Sequence, residues 1–359
     1  MMCYITKYNL VVRFGNKDLA KYPFLKEAFS YITKYDFKLE DLDSKDYLHL
    51  IYKAAEKIEN YLFFGRYEYQ INYSKTHETI VQEEVIIFLI SLLLIKSISI
   101  DAVTKKFALL ESMRFEKYLI SDLNTADRDD KTIKLILYKI FEDLFSTKIL
   151  LEVDVYNFYK IRINDYLDHP IAFQEKEWNL INRTLHNGFV YLDGNEIVRL
   201  FRNELYLLII DRIKKMSIDR IPDTIMAISK SIKSRWEQMH PSINAPVYNA
   251  VTPPCIQHIY DQISKGENLP HPARLLLGTF LIYSNKTLEE MLELFKRLPD
   301  FDEKITRYQL EHLAGKRGNS KRYFVPSCEK IKLENLCYET KICQGISNPT
   351  QLIRKKLDI

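Results

Sequence analysis

Cysteine is scarce in this chain: five in 359 residues, beside nine glycines, twelve prolines and two tryptophans. So little Gly and Pro excludes a collagen-like or low-complexity chain, and a 47% hydrophobic content is ample for packed cores. Long apolar runs are also missing. The most apolar stretch, VIIFLISLLLI at 85–95, is bounded by Glu84 and Lys96 and falls short of the roughly 20 residues that span a bilayer. It reads as a buried helix of a soluble protein, and no membrane partner is expected. The N-terminus, MMCYITKYNL, lacks the apolar core and small-residue cleavage site of a secretory signal. A cytoplasmic location follows as the expectation, and there clustered cysteines point to metal or redox chemistry rather than disulfides.

Catalytic signatures are absent too. There is no P-loop, GxGxxG or HExxH pattern. A polymerase needs paired carboxylates for Mg²⁺, and DxD occurs at Asp41/Asp43, Asp127/Asp129 and Asp300/Asp302. The first and third precede helical patterns and read as caps. The second lies in a charged loop. None has a strand on each side or an evident third carboxylate, so no independent catalytic activity is expected.

The length suggests about two domains. Residues 1–150 read as helices: Leu48, Ile51, Ala54, Ile58 and Leu62 share one face after Asp43 or Ser44, and a second helix covers 78–97. A third follows Asp101 with Val103, Phe107, Leu110 and Met113, and a fourth follows Asp130 with Ile133, Leu137, Ile140 and Leu144. Between 151 and 195 the pattern alternates around Ile161 and Ile163, and GFVYL ends at a turn signal, Asp193-Gly194. Asn195 is read as the cap of the apolar helix that follows. A boundary is expected near 214–223, giving a helical N-terminal domain over 1–215 with a small α/β element at about 151–213. An all-α C-terminal domain then runs over 216–359. Within it, Thr287 and Glu290 have the spacing of a capping box.

The net charge of +4 lies wholly in residues 251–359, which hold 17 Lys and Arg against 13 Asp and Glu. Four of the five cysteines lie there as well: Cys255, Cys328, Cys337 and Cys343, in the pattern C-x72-C-x8-C-x5-C. Four thiolates suit tetrahedral zinc or a 4Fe–4S cluster. The alternative is four unrelated buried thiols. Structural zinc usually takes pairs on tight knuckles, whereas the wide spacing here suits a cubane between helices somewhat better.

The succession PPCI, LPHPARLLLGTFL (269–281), LPDFDEKITRYQLEHLAG (298–315) and PSCEKIKLENLC resembles the C-terminal domain of the large subunit of archaeal and eukaryotic DNA primase, in its archaeal form. The likeness is specific over roughly 250–345. After the last cysteine the family often carries a His-Pro-Leu-Tyr-like run, where this chain has Asn348-Pro349-Thr350. The resemblance implies that Cys255, Cys328, Cys337 and Cys343 hold one 4Fe–4S cluster. It implies a heterodimer with a small catalytic primase subunit, alone or with a further small subunit. It also implies a regulatory role in RNA primer synthesis for DNA replication, with binding of the single-stranded DNA template and the initiating nucleotide. His271 and Arg274, three apart and on one helical face, match positions that bind the initiating 5′-triphosphate. Read without the family, they are a helix-end histidine and a solvated arginine.

Arg307, Tyr308 and His312 share a helix, with Tyr308 and His312 adjacent in space. They suit stacking on a base or contact with a phosphate, or else form a core pair. Lys316, Arg317, Lys321 and Arg322 flank Gly318 in a basic loop suited to phosphate contact. Two other readings remain. A zinc-stapled nucleic-acid-binding protein would need no primase partner, and an iron–sulfur nuclease would cleave in isolation.

Overall fold

A computed structural model describes residues 16–34, 38–67, 77–124, 137, 139–144, 152–153, 158–168, 178–218, 220–239, 252–317 and 322–354. They divide into two compact units, one within 1–100 and 107–233, the other within 101–106 and 234–359.

The first unit begins with two short helices, α1 (Asn16–Lys21) and α2 (Lys26–Lys34), followed by three longer ones: α3 (Leu48–Phe64), α4 (His77–Ile98) and, from residue 107 on, α5 (Asp101–Asn124). Ile51, Ala54, Ile58 and Leu62 are buried in α3 as the periodicity requires, whereas Leu48, at its first position, is only partly buried and Leu50 is buried in addition. Ser44 accepts from Asp46 N, capping a short 3-10 turn that leads into α3. The VIIFLISLLLI stretch lies inside α4, and no helix among the described residues is long and apolar enough to cross a membrane. Leu137, Ile140 and Leu144 are buried helical residues, while Ile133 and the Asp127/Asp129 pair lie outside the described residues.

One carboxylate ties three of these helices. Glu111 of α5 accepts from Lys57 Nζ at 2.9 Å, Tyr61 Oη at 2.7 Å and Arg114 Nη1 at 3.0 Å, and Arg114 reaches Glu84 of α4 at 3.5 Å. All five side chains are buried. Burial by itself would push the Glu111 carboxyl upward. The charges of Lys57 and Arg114 and the bonds from Lys57 and Tyr61 outweigh it and hold the pKa down to about 2.

A four-stranded antiparallel sheet follows, in the order β1-β2-β4-β3, with β1 Glu152–Val153, β2 Tyr159–Arg162, β3 Thr184–His186 and β4 Phe189–Leu192. Tyr159 pairs with Leu192 and Ile161 with Val190, and these four side chains are buried on one face. The β3–β4 hairpin turns at Asn187-Gly188, both at positive φ, the geometry that a two-residue turn of this kind demands. Ile163 is not part of the strand alternation. The strand stops at Arg162, and Ile163–Asp168 forms a helical turn, α6.

The next helix, α7 (Gly194–Lys215), starts two residues earlier than expected. Asp193, not Asn195, caps it. Its carboxylate accepts from Glu196 N at 2.8 Å, and Glu196 accepts from Asp193 N at 2.9 Å, so the acidic residue of the turn signal closes a capping box. The domain boundary also moves, from 215/216 to 233/234. Most of α8 (Asp223–Met239) belongs to the first unit, where Ile225 and Ile232 are buried and Ser229 Oγ reaches Leu94 O at 3.4 Å.

The second unit has helices and no strand among its described residues: α9 (Pro254–Ser264), α10 (His271–Tyr283), α11 (Leu288–Phe295), α12 (Glu303–Leu313), α13 (Cys328–Leu333) and α14 (Thr350–Arg354). α10 is its central rod, with Ala273, Leu276, Leu277, Phe280 and Leu281 all in the core. Gly278 lets α12 approach α10. A Cβ there would stand 3.0 Å from Leu313 Cδ1 and 3.4 Å from Leu310 Cδ2. The Thr287–Glu290 capping box starts α11 as the spacing requires.

Candidate metal centre and ligand pocket

Cys255 sits in the first turn of α9, which Pro253 and Pro254 start because a proline there forfeits no helical bond. Cys328 is the first residue of α13, behind the cap of Ser327. Cys337 follows Asn335, whose φ of 56° turns the chain out of that helix, and Cys343 closes a 3-10 turn over Lys341–Cys343. These four thiols are free and line a single small cavity of about 40 Å³, together with Ile331, Tyr338, Ile346 and Leu352. Two helix starts and two loop positions, up to 88 residues apart in the chain, are thereby brought to one place.

Electrostatics at the cavity disfavour bare thiolates. Burial pushes the Cys255 thiol up to about 12, with the Cys328 and Cys337 sulfurs adding to the rise against the bond from Ile256 N. Cys328 is raised for the same reason, first by burial and then by Cys337 and Cys343. Such a group of soft donors becomes thiolate only when a cation shares the cavity, because a coordinated thiol loses its proton outright. Among the described residues no three His, Cys, Asp or Glu side chains converge as a single-ion site.

The tail after Cys343 braces this cavity. Asn348 Nδ2 donates to Val325 O and Pro326 O at 3.0 and 3.3 Å, and its Oδ1 accepts from Thr350 N and Oγ1. Cys328 N donates to Ser347 O at 2.8 Å. Thus Asn348-Pro349-Thr350 caps α14 and holds the segment before Cys328. On the opposite flank His258 of α9 stacks on Tyr338, with centroids 3.6 Å apart, which pins the Cys337 loop. Neither contact carries a sequence pattern.

A second cavity, about 820 Å³ with its open mouth, is lined by His271, Arg274, Phe295, Tyr308, His312 and Tyr323 among others. It joins the start of α10 to the exposed face of α12. Tyr308 and His312 stack with centroids 6.3 Å apart, and Tyr323 extends the row at 5.4 Å from His312. Tyr308 is 53% exposed, so the pair is a surface feature and not a core pair. The imidazoles of His271 and His312 make no hydrogen bond among the described residues.

The basic residues fare differently. Arg307 is held by Glu303 at 3.1 Å and Glu289 at 3.9 Å, on a different part of α12. Arg317 pairs with Glu311 and lies over the Tyr308 ring at 5.6 Å, so it reaches the pocket through that ring. Arg322 donates to Ile282 O at 2.8 Å, an internal support of α10. Lys316 is exposed outside the pocket lining, and Lys321 lies outside the described residues. The carboxylates at the helix starts behave in two ways. Asp302 caps α12 through Ile305 N at 2.8 Å, and Asp41 accepts from Lys38 N at 2.8 Å. Asp300, read with Asp302 as a cap, instead binds Arg274.

Residues 245–357 match the family described as the C-terminal domain of the large subunit of eukaryotic and archaeal DNA primase. Both cavities lie within that span. The likeness to curated proteins is longer. The DNA primase large subunit PriL of Methanococcoides burtonii is 26% identical over 340 residues, 93% of this chain and 90% of its own length. That of Haloarcula marismortui is 25% identical over 356 residues, covering 94% and 93%. That of Methanosarcina barkeri is 26% identical over 352 residues, covering 95% and 79%. The chain is thus similar over nearly its whole length to archaeal DNA primase large subunits. The mainly helical fold with one small α/β part, expected from the sequence, is the fold of the described residues.

Proposed function

We propose that the chain is the regulatory subunit of an archaeal primase, without catalytic activity of its own. It assists a small catalytic subunit, the partner that the likeness to primase large subunits implies. The observation that carries this reading is the gathering of His271, Arg274, Tyr308 and His312, from two separate motifs, around one cavity in the unit that also holds the four-thiol cavity. Starting a primer is a positioning problem, since two free nucleotides must be held on a template with nothing to anchor them. Cations and unpartnered imidazoles suit the 5′-triphosphate, and the Tyr308–His312–Tyr323 row suits a base or the template strand.

In this reading Cys255, Cys328, Cys337 and Cys343 hold one 4Fe–4S cluster. When bound, it supplies metal–sulfur bonds that cross-link α9 to the C-terminal segment and give the buried thiolates their counter-charge. The α/β element is the docking surface for the catalytic subunit, because Phe158, Ile181 and Leu185 leave apolar area exposed there.

The test is primer synthesis by the full chain with its catalytic partner. Arg274→Ala should lower initiation about tenfold, the worth of one strong charge-assisted hydrogen bond, and leave elongation unchanged. Equal losses in both phases would overturn the assignment of the pocket to the initiating end.

A further inference from the structure

Arg274 is held from behind before any ligand arrives. Its Nε donates to Leu269 O at 2.8 Å, and its Nη2 donates to Asn268 Oδ1 at 2.6 Å and to both oxygens of Asp300 at 2.8 and 2.7 Å. Three protein acceptors thus crowd one edge of the guanidinium. Nη1, with two N–H groups, makes no hydrogen bond among the described residues, and Arg274 lines the cavity that His271, Tyr308 and His312 share. Asn268 and Leu269 lie just before α10, and Asp300 lies just before α12, so the anchor spans both helix starts that shape the pocket.

We propose that Asp300 is a positioning residue for phosphate recognition: it fixes Arg274 so that the unused Nη1 edge faces the 5′-triphosphate of the initiating nucleotide. This rests on the reading of the pocket given above. A free arginine side chain spreads over many rotamers and loses that freedom on binding, whereas one already anchored loses little. A carboxylate beside a phosphate site also has an opposite effect, since its charge offsets that of the arginine. The geometry decides between the two. Asp300 occupies Nη2 and the ligand would use Nη1, so the anchor need not be displaced for the phosphate to bind.

The experiment measures equilibrium binding of the full chain to a short RNA paired with a DNA template, bearing either a 5′-triphosphate or a 5′-hydroxyl. The readout is the ratio of the two affinities. Asp300→Ala should reduce that preference about tenfold, as expected for losing an anchoring bond to a charged group, without changing the binding of the hydroxyl-ended RNA. Asp300→Asn keeps one acceptor for Nη2 and should retain most of the preference. Arg274→Ala should abolish it, and adding Asp300→Ala to Arg274→Ala should change nothing more, because the aspartate acts through the arginine. If Asp300→Ala leaves the preference intact or raises it while Arg274→Ala abolishes it, the positioning role is wrong and the triphosphate reading stands. If Arg274→Ala leaves the preference intact, the triphosphate reading fails and the positioning role fails with it.

Discussion

Polar groups are used in opposite ways in the two units. In the helical N-terminal unit Lys57, Glu111, Arg114, Glu84 and Tyr61 are buried and consume one another, joining α3, α4 and α5. In the C-terminal unit four thiols, two imidazoles and one edge of a guanidinium face cavities with their capacity unspent. A buried ion network paired from within is scaffold, since any ligand would have to break it. Donors fixed from behind and open in front are what a binding site requires.

That contrast predicts where mutations should be felt. The largest stability effect belongs to Glu111→Ala, which takes away the carboxylate shared by the buried Lys57 and Arg114 and should cost about 3–5 kcal/mol in denaturant melts. The same carboxylate sets an acid limit. Its folded pKa of about 2 lies below the value near 4.3 of an unfolded glutamate. Its stabilising contribution is therefore complete above that unfolded value and is lost as the pH falls toward 2. Glu111→Gln should flatten the fall in stability over that window, seen by circular dichroism. Undiminished acid sensitivity would remove Glu111 from the centre of the network.

A smaller effect is expected at the α10–α12 contact. Gly278→Ala drives a methyl against Leu313 and should cost about 1–3 kcal/mol, the usual range for overpacking. It should also weaken triphosphate binding, because α10 and α12 carry the two sides of the pocket. Smallest of all is the effect of Arg274→Ala on stability. Arg274 and Asp300 keep 22% and 32% of their side chains exposed, so the melting free energy should move by no more than about 1 kcal/mol. A large loss of stability there would erase the distinction between scaffold and site.

How much of this the sequence revealed depends on the range of the interactions. The helices with strong periodicity, the Thr287 box and the four cysteines were legible because each is a pattern of residue types at a spacing. His271 with Arg274, and Tyr308 with His312, were legible as pairs three and four apart. That both pairs line one cavity was not, because the packing of α10 on α12 at Gly278 is tertiary. Asp300 was obscured by its neighbour. Two aspartates before a helix both look like caps, and only the fold shows that one of them reaches 26 residues back to Arg274. Asp193 was overlooked as a cap because Asp-Gly also signals a turn. Asn348 was seen only as a departure from the family's tail, while its bonds to Val325 and Pro326 give that tail a bracing role.

The most direct test of the cysteine site is the metal content and visible spectrum of the full chain purified without oxygen, beside Cys337→Ser. About four irons per chain and a broad brown absorption, both lost in the variant, are the result expected of a four-cysteine cubane. One zinc and a colourless protein, or no metal with all four thiols reactive, would contradict it.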